Sequence, residues 1–115
     1  MKSLKNCIKL SSKITVYVPA TSDVDQAIDN KEQVDKTASL LADCFGGATS
    51  SPAIGYWLSS SHGLVRENTT IVFAYASEAA LKANTDRVVS WCEEMRDSMK
   101  QEAIALEING EMYFI

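Results

Sequence analysis

The side chains best suited to chemistry in this chain are aromatics, a cation and carboxylates on extended segments: Tyr17, Trp57, Arg66, Glu67 and Glu107. Trp57 ends "PAIGYW" and Arg66-Glu67 lie in "GLVRENTT", runs separated by the short polar turn "SSSHG". That spacing predicts neighbouring strands of one hairpin. An aromatic and carboxylates over an exposed sheet face would suit a small polar ligand. A carboxylate held beside apolar rings is also a candidate for acid–base work. Arg66 and Glu67 are consecutive, so on a regular strand they face opposite sides and cannot both line one site unless a bulge intervenes. Tyr17 and Glu107 belong to other strands and approach if the register allows. The competing reading of the same residues is a solvated ion pair on the sheet surface.

Other candidates carry less. "GGATSS" could offer backbone N–H groups and hydroxyls to an anion. Its glycines follow a helix, at the negative end of the dipole, and it lacks the lysine of a phosphate loop. Gly46-Gly47 therefore read as a helix stop. The lone His62 has no neighbouring ligand or orienting carboxylate in sequence and reads as an exposed turn residue. Cys7, Cys44 and Cys92 have no metal spacing and read as reduced thiols of a cytoplasmic protein. Neither a metal nor a cofactor is expected.

These residues need elements to hold them. "KITVYVP" (13–19) alternates and predicts a strand closed by Pro19. Asp29 with Glu32, or Asn30 with Gln33, fits a capping box, followed by a helical face of Val34, Ala38, Leu41 and Phe45. Ser77 caps a second helix whose apolar stripe is Leu81, Val88, Cys92, Met95 and Met99. Asn109-Gly110 is a strong two-residue hairpin signal, pairing strands near 103–108 and 111–115. That register sets Ile104, Leu106, Ile108, Glu111, Tyr113 and Ile115 on one face and Ala105, Glu107, Met112 and Phe114 on the other. The order predicts an α+β, ferredoxin-like β-α-β-β-α-β antiparallel sheet with two helices on one face and an extra C-terminal hairpin strand.

The 115 residues fit one domain, 13–115, preceded by a basic, frayed segment over 1–12. Lys2, Lys5, Lys9 and Lys13 lie in the first thirteen residues, and the remainder carries seven basic against fifteen acidic residues. An acidic body argues against nucleic acid as the main partner. No segment has the apolar length of a membrane span or a signal peptide.

The successions "KITVYVPAT", "FGGATSSPAIGYW", "GLVRE" and "QEAIALEINGEMYFI" resemble a group of small uncharacterised bacterial proteins of mobile elements and phage-like regions. The middle part, F-G-G-x-T, then G-x-W, then G-L-V-x-E, is similar to a wider domain family of unknown function. It occupies Phe45, Gly46, Gly47, Thr49, Gly55, Trp57, Gly63, Leu64, Val65 and Glu67. The resemblance implies a compact α+β fold, draws attention to Thr49, Trp57 and Glu67, and supplies no activity. The reading on sequence alone is a non-enzymatic binding or interaction protein, an accessory factor of a mobile element. The alternative is a small-ligand binder or enzyme with a sheet-face site of Thr49, Trp57, Glu67 and Glu107. The apolar end "MYFI" also predicts a homodimer that covers the open sheet face or the terminal strand.

Overall fold

A computed structural model describes residues 3–22 and 26–115. Strand β1 (Ser12–Pro19) buries Ile14, Val16 and Val18 completely and turns Tyr17 to the opposite face, as its alternation predicts. A two-strand ribbon follows, β2 (Thr21–Ser22) with β3 (Gln26–Ala27), in what reads by sequence as a plain polar connection. Helix α1 (Lys31–Phe45), strands β4 (Thr49–Ser59) and β5 (Gly63–Ala76), helix α2 (Glu78–Ser98), and strands β6 (Ala105–Ile108) and β7 (Glu111–Phe114) complete the order.

The main sheet runs β4-β5-β1-β6-β7 and every pair is antiparallel. Both helices lie on one face, so this is the ferredoxin-like arrangement with an added edge strand. Ile14, Val16, Val18, Val72, Ala74 and Leu106 from the sheet meet Leu41 of α1 and Val88, Cys92 and Met95 of α2. Full burial of each large aliphatic side chain stabilises the fold by about 1.5–3 kcal/mol.

The helix ends show how local chemistry is allotted. Ser77 caps α2 by accepting from the Ala80 N–H at 3.1 Å. Gly46, at φ 97°, closes α1 and donates to Ala42 O at 2.8 Å. The capping box expected at the start of α1 does not form. Asn30 instead donates through Nδ2 to Val18 O, Pro19 O and Thr70 Oγ1, each at 3.3 Å. Its amide ties the helix start to the sheet, and Glu32 pairs with Lys36 at 3.0 Å.

The helices are joined by a relay that periodicity does not reveal. Trp91 Nε1 donates to Thr37 Oγ1 at 2.7 Å, and that hydroxyl donates to Gln33 O at 2.7 Å. Thr37 is fully buried. Thr37→Val keeps the shape and leaves the indole N–H without its acceptor, so it should cost about 1–3 kcal/mol. A denaturant midpoint unchanged from wild type would show that the relay contributes nothing.

In the terminal hairpin Asn109 (φ 52°) and Gly110 (φ 84°) both take positive φ, as the two-residue turn requires. Leu106 lies opposite Tyr113 and Ile108 opposite Glu111, the faces that the turn register predicts. Phe114 is left 75 % exposed. The β4–β5 hairpin pairs continuously from Thr49↔Phe73 to Ser59↔Gly63 without a bulge. Strand β1 covers β5 only from Thr69 onward, so the far part of the hairpin projects beyond the sheet centre. Ile54, Tyr56, Leu58 and Leu64 are exposed on that arm.

Candidate functional site

A hollow furnished with polar side chains arises on the open face where β1 stops. Pro19 has no N–H to continue a ladder, and beyond it Ala20 makes one link, its N–H donating to Asn68 O at 3.1 Å. The chain then leaves for the β2–β3 ribbon, while β5 on one side and residues 101–105 on the other continue. The gap between them is a cleft of about 210 Å³ lined by Tyr17, Gly55, Glu67, Thr69 and Gln101, among others. Gly55 lies directly across from Glu67, so the carboxylate faces a position with no side chain.

Trp57 shares the face of Gly55 and stands two residues further out on β4, about 7 Å along the strand. It is 42 % exposed and is not part of the buried core. Arg66 turns to the other side, its guanidinium 5.8 Å from the centre of the Tyr56 ring. The regular register thus separates Arg66 from Glu67.

Tyr17 donates its hydroxyl to Glu107 Oε1 at 2.9 Å. Ala105 is the residue across from Tyr17 by register and leaves room for this diagonal contact. Burial, and then the Glu107 hydrogen bond, push the Tyr17 phenol above its ordinary value of 10.0. Tyr17 therefore stays neutral through the physiological range. Its contribution to stability is complete below about pH 10 and is lost as pH rises through the raised value.

The other predicted residues are not gathered here. Glu107 is level with Thr15, and Thr15 with Phe73. Glu67 is six residues from Phe73 along β5, so the two carboxylates are offset by about 20 Å along the strands. Glu107 reaches the cleft only through Tyr17. Thr49 is also level with Phe73 and lines a separate hollow of about 460 Å³ with Gly46, Gly47, Phe73 and Tyr75. Lys13 Nζ lies 4.4 Å from the centre of the Phe73 ring near that end. Tyr17 and Glu67 thus line one cleft, although Tyr17 is level with Ile71 and so about 13 Å from Glu67 along the strands; Trp57 stands just outside, and Thr49 and Glu107 lie away. Sequence reasoning missed Gln101 and Thr69. Gln101 sits in the α2–β6 connection, where no period marks it, and Thr69 reads as one more strand threonine.

His62 is an exposed turn residue whose Nδ1 lies 2.7 Å from Ser61 Oγ. Among the described residues no group of three His, Cys, Asp or Glu side chains could hold a metal ion. Burial pushes the Cys92 thiol up to about 12 and raises Cys44 as well, which suits core residues and not nucleophiles. No helix among the described residues is long and apolar enough to cross a membrane.

No protein-family model and no curated protein matches the chain. Solved structures do. A phage SAM lyase in complex with S-methyl-5'-thioadenosine is similar over 95% of this chain and 94% of its own, with 19% identity and a TM-score of 0.67. A phage SAM lyase in the apo state matches over 90% and 87%, with 21% identity and a TM-score of 0.65. CutA from Synechococcus elongatus matches over 90% and 80%, with 8% identity and a TM-score of 0.54. These likenesses place the chain in the α+β, ferredoxin-like class. They also overturn the expectation of a non-enzymatic interaction protein, because two of these three neighbours are structures of an enzyme, one of them holding a nucleoside thioether. They accord better with the alternative, a small-ligand binder or enzyme, than with that main reading.

Proposed function

We propose that this chain is an enzyme that binds S-adenosylmethionine on the open sheet face and breaks a carbon–sulfur bond to release S-methyl-5'-thioadenosine. The observation that carries the reading is the Glu67 cleft, on a chain whose fold matches a phage SAM lyase along nearly its whole length. S-adenosylmethionine is a sulfonium cation. When the bond from sulfur to the amino-acid chain breaks, its electron pair stays on sulfur and a neutral thioether leaves. A lyase adds no water, so the carbon is satisfied within the substrate, by its own carboxylate or by loss of a neighbouring proton.

The side chains suit these needs. Glu67 offers a negative charge to the cation. The partly exposed Trp57 ring offers a face for a purine or for the sulfonium. Tyr17 forms a neutral wall, and Gly55 leaves space opposite the carboxylate. The expected origin among mobile elements and phage-like regions accords with a phage enzyme of this fold. With such a substrate we infer a cytoplasmic location.

A ligand that binds only the folded state raises stability, by about 2.7 kcal/mol at a hundred times its Kd. Melting the protein with S-methyl-5'-thioadenosine should therefore raise its Tm by several degrees. No shift at millimolar concentration, with either the thioether or S-adenosylmethionine, would sink the reading.

The homodimer belongs to the same proposal. Met112, Tyr113 and Phe114 on the edge strand are exposed, and a two-fold pairing covers such a surface with one self-complementary patch. Light scattering at micromolar concentration should give twice the chain mass; a monomer mass contradicts it.

A further inference from the structure

We infer that Gln101 is a specificity-determining residue of the cleft, accepting a hydrogen bond through Oε1 from a protonated amine of the ligand. This rests on the proposed adenosyl-ligand reading and adds to it the group that distinguishes one such ligand from another.

Most side-chain protons of the cleft are already spent on the protein itself. Gln101 Nε2 donates to Thr21 O at 2.9 Å, to Met99 O at 3.3 Å and to Thr21 Oγ1 at 3.4 Å. Two of these partners are carbonyl oxygens that can only accept, so the amide orientation is fixed by chemistry. Its Oε1 must point away from them. No hydrogen bond among the described residues engages that oxygen, which belongs to a residue that lines the cleft.

The neighbouring side chains repeat the pattern. The Tyr17 hydroxyl gives its proton to Glu107 and the Thr69 hydroxyl gives its proton to Val18 O at 3.0 Å. Each is left with lone pairs only. Glu67 carries no proton donor when ionised. Asn68, exposed at the margin, is the lining side chain with N–H groups still to give. Apart from Asn68, the polar side chains of this wall therefore offer acceptors, one of them a carboxylate, between apolar residues; that set disfavours phosphates and carboxylates and favours a cationic donor. Of these acceptors Gln101 is neutral, and its amide is anchored to the backbone at Thr21 and Met99. It can therefore fix direction where Glu67 supplies charge.

The test uses two neutral thioethers that share the adenosine part. S-adenosylhomocysteine carries the amino-acid amine and S-methyl-5'-thioadenosine does not. Their Kd values are measured by calorimetry for wild type, Gln101→Lys and Gln101→Met. Lysine can still donate to the Thr21 and Met99 carbonyls but accepts nothing; methionine removes the amide without adding charge. Both variants should lose about tenfold to a hundredfold in affinity for S-adenosylhomocysteine, the worth of a hydrogen bond to a charged group. Affinity for S-methyl-5'-thioadenosine should change less than about threefold on the same scale, which also shows that the variants are folded. Equal losses for both ligands, or no loss for either, overturn the assignment of Gln101 and leave the proposed function standing. A wild-type protein that binds neither ligand overturns both.

Discussion

Gly55→Leu should abolish ligand binding while the protein melts no lower than wild type. The two halves of this result have separate causes. A Cβ at Gly55 would lie 3.8 Å from Glu67 O, an ordinary contact, and Gly55 has no positive φ to protect. A glycine inside a strand costs about 0.5–1 kcal/mol relative to alanine, so a larger residue is accommodated or even favoured by the backbone. Its side chain, however, enters a cleft of only about 210 Å³, directly opposite Glu67. Affinity for S-methyl-5'-thioadenosine should fall at least about a hundredfold, as for a ligand denied its pocket. Retained affinity would mean that the ligand sits elsewhere on the molecule.

The second large effect is at the carboxylate. Glu67→Gln keeps the shape and removes the charge. Glu67 is half-buried and Arg66 is turned to the other face, so the charge is free to meet a ligand. The rate of thioether release should fall by about a hundredfold or more, the scale on which loss of one well-placed electrostatic group lowers turnover. Affinity for S-adenosylmethionine should fall about tenfold to a hundredfold, whereas the neutral S-methyl-5'-thioadenosine should bind nearly as before. Equal weakening of the cation and the neutral thioether would show that Glu67 shapes the cleft and does not recognise charge.

Much of the fold was legible in the residues themselves. The alternation of Ile14, Val16 and Val18, the glycine stop at Gly46, the Ser77 cap and the Asn109-Gly110 turn are local signals. The structure uses each as local chemistry dictates. The capping box failed because Asn30 had a better use, in three contacts to β1 and β5 that no local pattern contains. The Thr37–Trp91 relay was hidden for the same reason: its partners are fifty-four residues apart.

The site was legible in part. Opposite orientation of Arg66 and Glu67 follows from the pleat, and the structure keeps it. Which residues converge depends on register and on where a strand ends. Thr49 and Glu67 sit on one face of adjacent strands yet lie at opposite ends of it. Pro19 was readable as a strand end, but not as the cause of a cleft, because that requires knowing that β5 and residues 101–105 run on past it. Gln101 becomes notable only once its amide is seen anchored to Thr21 and Met99.

The most direct test of the proposed lyase activity is to incubate the purified protein with S-adenosylmethionine and follow the products by liquid chromatography and mass spectrometry. S-methyl-5'-thioadenosine should form in proportion to enzyme, together with one amino-acid-derived product, and neither should appear with the Glu67→Gln protein above about one hundredth of the wild-type rate. Substrate that stays intact with the wild-type protein, under conditions where the thioether is shown to bind, would contradict it.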